Sequence, residues 1–93
     1  MTTAIVFHEV KDGHVWAKAW RPGPGSRHEL FDKIGVKART FRDPKSVNSA
    51  GLIFSIPDMS AFESLLASPE GKRAMDEDGL KLETLRVLTE FSP

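Results

Sequence analysis

The chain has 93 residues, 40% of them apolar and 28% charged, the profile of one ordinary globular domain and not of a disordered segment. Thirteen lysines and arginines balance thirteen aspartates and glutamates, which leaves no net field to favour DNA, RNA or an anionic membrane. The absence of cysteine removes disulfides, thiolate nucleophiles and Cys-ligated zinc.

The first ten residues lack the basic start and long apolar core of a signal peptide, and no apolar run approaches the roughly 20 residues that span a bilayer. A cytoplasmic protein with no membrane partner is the expectation. Residues 4–10 alternate Ile5, Phe7 and Glu9 against Val6, His8 and Val10, the period of a strand. Asp12 stands where a helix N-cap belongs, and Val15, Trp16, Ala19 and Trp20 follow at helical spacing, with both tryptophans on one stripe. Arg21-Pro22-Gly23-Pro24-Gly25 interrupts that helix, because proline removes a ladder donor and glycine costs about 1 kcal/mol against alanine. A second helical piece resumes near Ser26, turns Leu30, Phe31 and Ile34 inward, and stops at Gly35 as a left-handed cap.

A second strand is predicted over residues 36–43, then a turn at Asp43-Pro44-Lys45-Ser46, then a third strand over 49–56 with Ala50, Leu52, Phe54 and Ile56 on one face. Asp58 or Ser60 caps the next helix, which buries Phe62, Leu65 and Leu66. Ser68-Pro69 restarts it, and the restart puts Met75 out of phase. Residues 80–91 form the last strand, with Leu85, Val87 and Phe91 on one side and Leu82 and Leu88 on the other. The order is strand-helix-strand twice, which defines an α+β, ferredoxin-like βαββαβ domain over residues 1–93 with a four-stranded antiparallel sheet.

A sheet covered on one face alternates apolar with polar residues. Here Ile5 and Phe7 oppose Val6, Leu52 and Phe54 oppose Ile53, and Val87 opposes Leu88. Helices cover one face only, so a second copy of the chain is the simplest cover for the other. The expected partner is therefore a homodimer mate packed through the sheet face, with Phe7 or the Leu52–Phe54 face at its apolar centre.

His8-Glu9-Val10-Lys11-Asp12, Trp16, Gly35-Val36-Lys37 and Phe41-Arg42-Asp43-Pro44, with Phe62, Ser68-Pro69-Glu70, Met75 and Gly79 further on, resemble small proteins of the dimeric α+β barrel superfamily. The related groups are the antibiotic-biosynthesis monooxygenase-like and muconolactone-isomerase-like proteins. The resemblance implies two sheets packed into a barrel, and a cavity in each subunit between its sheet and helices. It also implies activities that include cofactor-free oxygenation and isomerisation. The Pro22–Gly25 insert departs from that pattern and is placed to reshape the cavity mouth. The haem-degrading branch fits least: its first-strand Asn would fall near His8, where there is none, and no histidine follows His28.

Among the chemistry-bearing residues His8 stands out. An imidazole kept neutral in an apolar site can serve as a base or bond a substrate oxygen; the plainer role is a structural histidine bonded to backbone. Trp16, Trp20, Phe31 and Phe62 are the expected pocket walls, and the same spacing also suits simple core residues. His8, His14 and His28 match no ligand spacing, so neither metal nor cofactor is expected. Lys37, Arg39, Arg42 and Lys45 read as a solvated, guarded sheet edge. Asp76, Glu77 and Asp78 read as a solvated run at a helix end. Gly23-Pro24-Gly25 lacks the spacing of a phosphate loop. The sequence thus predicts a small-molecule-binding homodimer, a cofactor-independent oxygenase or isomerase acting on a planar or lipophilic compound. The alternative is a non-catalytic dimeric module whose cavity is filled by its own side chains.

Overall fold

A computed structural model describes residues 1–92. The elements run β1 (Thr2–Val10), α1 (Gly13–Ala19), α2 (Arg27–Asp32), β2 (Lys37–Asp43), β3 (Ser46–Ile56), α3 (Met59–Ala67), α4 (Pro69–Glu77) and β4 (Leu80–Thr89). The strands form one antiparallel sheet in the order β2-β3-β1-β4, the ferredoxin-like arrangement with each helical crossover split in two. No helix among the described residues is long and apolar enough to cross a membrane.

Local chemistry explains the breaks. Asp12 accepts from the His14 amide at 2.9 Å, and Ser26 accepts from the Glu29 amide. Asp58, and not Ser60, caps α3 by accepting from the amides of Ser60 and Ala61. Ser68 ends α3 and starts α4: its hydroxyl donates to the Leu65 carbonyl at 2.6 Å and accepts from the Gly71 amide at 3.1 Å. Pro69 then occupies the first turn, where its missing amide costs nothing. Gly35 and Gly79 both take φ near +73°, which closes α2 and α4.

Several sequence expectations shift. Strand β3 begins at Ser46, not residue 49, because Asp43 pairs with Ser46 and leaves only Pro44 and Lys45 in the turn. The extra length has a partner: Asn48 accepts from the Gly13 amide at 2.7 Å, Arg42 donates to the Gly13 carbonyl at 3.1 Å, and a Cβ at Gly13 would overlap the Val47 carbonyl. Arg42 is therefore tied to the start of α1 and is not part of a purely solvated edge. Strand β4 ends at Thr89, so Phe91 lies beyond it, and Val15 points outward despite its helical spacing.

The helices cover one face of the sheet. Ala4, Val6, His8 and Val10 of β1 are buried there beside Ala50, Leu52, Phe54 and Ile56 of β3. The Leu52–Phe54 face is thus the helix-covered core, which removes it from the expected dimer surface. The opposite face exposes Ile5, Phe7, Phe41 and Leu88, which the strand register makes neighbours. Gly51 lies between Phe7 and Phe41 in that register, so no side chain separates the two rings.

The β1–β4 ladder contains one irregularity. Phe7 pairs with Arg86 and Glu9 with Lys81, so residues 82–85 bulge opposite His8. Thr84 closes the gap, accepting from the Glu9 amide at 2.8 Å and donating to the Lys81 carbonyl at 2.6 Å. Bulges re-aim side chains and bend the sheet locally. Here Leu85 comes to line the space beneath the helices.

Candidate functional site

Between sheet and helices lies a cavity of about 100 Å³. Its walls come from β1 (Val6, His8), α1 with its C-cap Trp20, α2 (Arg27, Phe31), β3 (Leu52, Phe54), α3 (Phe62) and the end of α4 (Met75, with Asp78 just beyond). All five residues singled out from the sequence, His8, Trp16, Trp20, Phe31 and Phe62, meet on this one cavity. Pro22–Gly25 does not line it; the segment hands the chain from Trp20 to Arg27, which both do.

The aromatic rings form a continuous row. His8 meets the edge of Trp16 with centroids 5.9 Å apart, and Trp16 leads to Trp20 at 6.3 Å. Trp20 stacks on Phe31 at 5.6 Å. Phe54 is the hub, with Phe31 and Phe62 each 5.1 Å away and Trp20 at 6.3 Å. Such pairs add about 0.5–1.5 kcal/mol each beyond the area they bury.

His8 is 5% exposed, and its Nδ1 is buried without a hydrogen-bond partner. Burial pushes the imidazole pKa below its ordinary 6.5, and the nearby Glu9 backbone offsets part of the effect. The ring is therefore neutral at pH 7, with one nitrogen able to accept a proton.

Arg27 and Asp78 were not legible as site residues. The Arg27 Nε donates to both Asp78 oxygens at 3.0 Å, and its Nη2 lies 2.9 Å from Asp78 and 3.1 Å from Glu77. Asp78 is buried, which corrects the reading of the 76–78 run as wholly solvated. Burial pushes the Asp78 carboxyl up from its ordinary value, against the opposing pull of Arg27. One signal was available in the sequence: a carboxylate at a helix C-terminus opposes the macrodipole and calls for a compensating cation. Among the described residues no cluster of three or more potential metal ligands occurs.

No family model matches the chain, and no curated protein matches it in sequence. Solved structures do match it in fold. An antibiotic biosynthesis monooxygenase superposes with a TM-score of 0.71 at 15% identity, covering 100% of this chain and 99% of that one. A Nitrosomonas europaea protein named as an antibiotic biosynthesis monooxygenase gives 0.70 at 13% identity, covering 99% and 98%. A Lactobacillus acidophilus protein named as a monooxygenase gives 0.65 at 16% identity, covering 95% of this chain and 42% of that one. The chain thus has the α+β ferredoxin-like fold of the antibiotic biosynthesis monooxygenase-like proteins.

Proposed function

We propose that the chain is a homodimeric α+β barrel protein whose cavity binds a small planar or lipophilic molecule and presents it to His8. The observation that carries this reading is a buried, unpartnered imidazole on the wall of an apolar cavity. The His8 ring lines the cavity, and a ligand oxygen that bonded it would offset part of the roughly 1–3 kcal/mol that an unmet hydrogen bond costs. A neutral imidazole in that position is suited to removing a proton from a weakly acidic substrate. Isomerisation and cofactor-independent oxygenation both begin with such a step, and in the second the electron-rich anion itself supplies electrons to dioxygen. The names of the similar structures support oxygenation. The exposed Ile5-Phe7-Phe41-Leu88 patch supports the dimer.

Native mass spectrometry of protein purified from its own host reads both claims at once. A dimer carrying a small organic ligand is the expected species; a ligand-free monomer would remove the reading. In an activity screen, His8→Asn should lower turnover roughly 10²–10⁴-fold while leaving the protein folded, the range for loss of a general base. The small volume of the cavity favours one other reading, a non-catalytic dimeric module. In that case a ligand-free dimer is recovered, and His8→Asn alters stability alone.

A further inference from the structure

Resting on the reading that this cavity takes a ligand, we infer that the preferred occupant is a neutral, single-ring molecule bearing a hydroxyl group, and that Asp78 sets this preference by keeping Arg27 from anions. Size gives the first limit. An apolar cavity of about 150 Å³ accommodates benzene, so about 100 Å³ here is filled by one ring at most.

Polarity gives the second. Indole N–H groups aside, the polar side chains on the wall are His8, Arg27 and Asp78. Arg27 has no charge to spare: its guanidinium meets both oxygens of Asp78 within 3.0 Å and also reaches Glu77. Burial holds His8 neutral. An entering carboxylate would shed its water and find only a neutral imidazole and an occupied guanidinium, an unfavourable exchange. A hydroxyl both donates and accepts, so it can partner the His8 ring in either tautomer. A methyl group can do neither, and a carbonyl serves only one tautomer. Asp78 thereby acts as a specificity-determining residue: without its charge, Arg27 would line the apolar cavity as a cation paired with the exposed Glu77 and lacking its buried partner.

Trp16 and Trp20 are the only tryptophans, the chain has no tyrosine, and both indoles line the cavity, so intrinsic fluorescence reports on this site alone. Toluene, phenol and benzoate are titrated at pH 7 into the wild type, His8→Leu and Asp78→Asn. Comparing ratios between variants cancels the different hydration of the probes. The preference for phenol over toluene should fall about tenfold in His8→Leu, the effect of one hydrogen bond. Benzoate should leave the wild type unperturbed and bind at least about tenfold better to Asp78→Asn, where Arg27 loses its buried carboxylate partner and keeps the exposed Glu77. A phenol-to-toluene ratio unchanged by His8→Leu, or benzoate binding the wild type as well as phenol, overturns the inference. So does an Asp78→Asn protein that folds and gains nothing for benzoate.

If either variant fails to fold, nitrogen NMR of the wild-type imidazole decides. Phenol should shift the His8 ring signals while toluene and benzoate do not, and equal shifts from phenol and toluene overturn the proposal. Should none of the three rings perturb tryptophans or imidazole at millimolar concentration, the ligand-pocket reading itself falls. That outcome is distinct from binding without selectivity, which sinks the inference alone.

Discussion

The two sides of β1 carry side chains of similar apolar character and meet opposite fates. Val6 and Val10 are buried under the helices, whereas Ile5 and Phe7, one residue out of phase, lie 37% and 50% exposed. The difference comes from the sheet period of two, which sends neighbours to opposite faces, combined with crossovers that place every helix on one side. One face therefore holds an aromatic core with a cavity and a titratable group. The other holds a flat patch with Gly51 at its middle and a cation, Arg39, 5.4 Å from the Phe41 ring. The inner face should govern folding and ligand chemistry, and the outer face association. Four substitutions or conditions separate those roles.

The largest effect belongs to the inner hub. Phe54→Ala removes three aromatic contacts and leaves a hole beside an existing cavity, so a loss of about 3–5 kcal/mol is expected from chemical denaturation. A loss under about 1 kcal/mol would mean that the inner face is not the core it resembles. Phe7→Asp is the matching change outside. The monomer should keep its stability within about 0.5 kcal/mol, as surface changes do, while sedimentation at micromolar concentration shows the dimer dissociated. A stable dimer of the Phe7→Asp protein would move the interface elsewhere.

How far these faces could be read from the sequence follows from which signals are local. The alternation in β1, the caps at Asp12, Ser26 and Ser68 and the stops at Gly35 and Gly79 depend on nearest neighbours, and the structure has them where the residues imply. The convergence of His8, Trp16, Trp20, Phe31 and Phe62 followed from placing two helical stripes over one strand face. Asp78 was missed because its burial depends on Arg27, 51 positions away. The start of β3 was missed for the same kind of reason: Ser46 closes a run of turn chemistry, and Asn48 is a poor strand former until Gly13 of α1 supplies its partner. Which strand face meets the helices was also ambiguous, since Leu52–Phe54 and Phe7 are equally apolar and only the register separates them.

A smaller effect tests the bulge that joins the two faces. Thr84→Val keeps the shape of the side chain but leaves the Glu9 amide and the Lys81 carbonyl without their partner. A loss of about 1–2 kcal/mol is expected, within the range for an unmet backbone group in a partly wet site. Because Glu9 follows His8 directly, hydrogen exchange should also rise at the Glu9 amide before it rises in the β1–β3 ladder. Unchanged protection at Glu9 would show that the bulge is held by β4 alone.

The smallest effect is a pH dependence that only the inner face should show. Burial lowers the His8 pKa in the folded chain below the 6.5 of an unfolded one. Between those two values the unfolded chain binds more protons than the folded chain, so stability rises with pH across that window. The contribution is fully present above pH 6.5 and is lost as pH falls through the folded pKa. Asp78 works in the reverse sense, in a window that opens at pH 3.8. Its folded pKa is raised above 3.8, so its ionisation removes stability as pH climbs through that window. Denaturant melts between pH 8 and pH 5 should therefore show the wild type losing stability toward the acid end, with a shallower loss in His8→Asn. Identical slopes for the two proteins would mean that His8 titrates as it does in water, and the neutral, substrate-facing imidazole would go with it. Sedimentation over the same range reads the other face. The proposed association through the exposed Ile5, Phe7 and Leu88 would rest on apolar area, so it should hold its strength while the inner histidine takes up its proton.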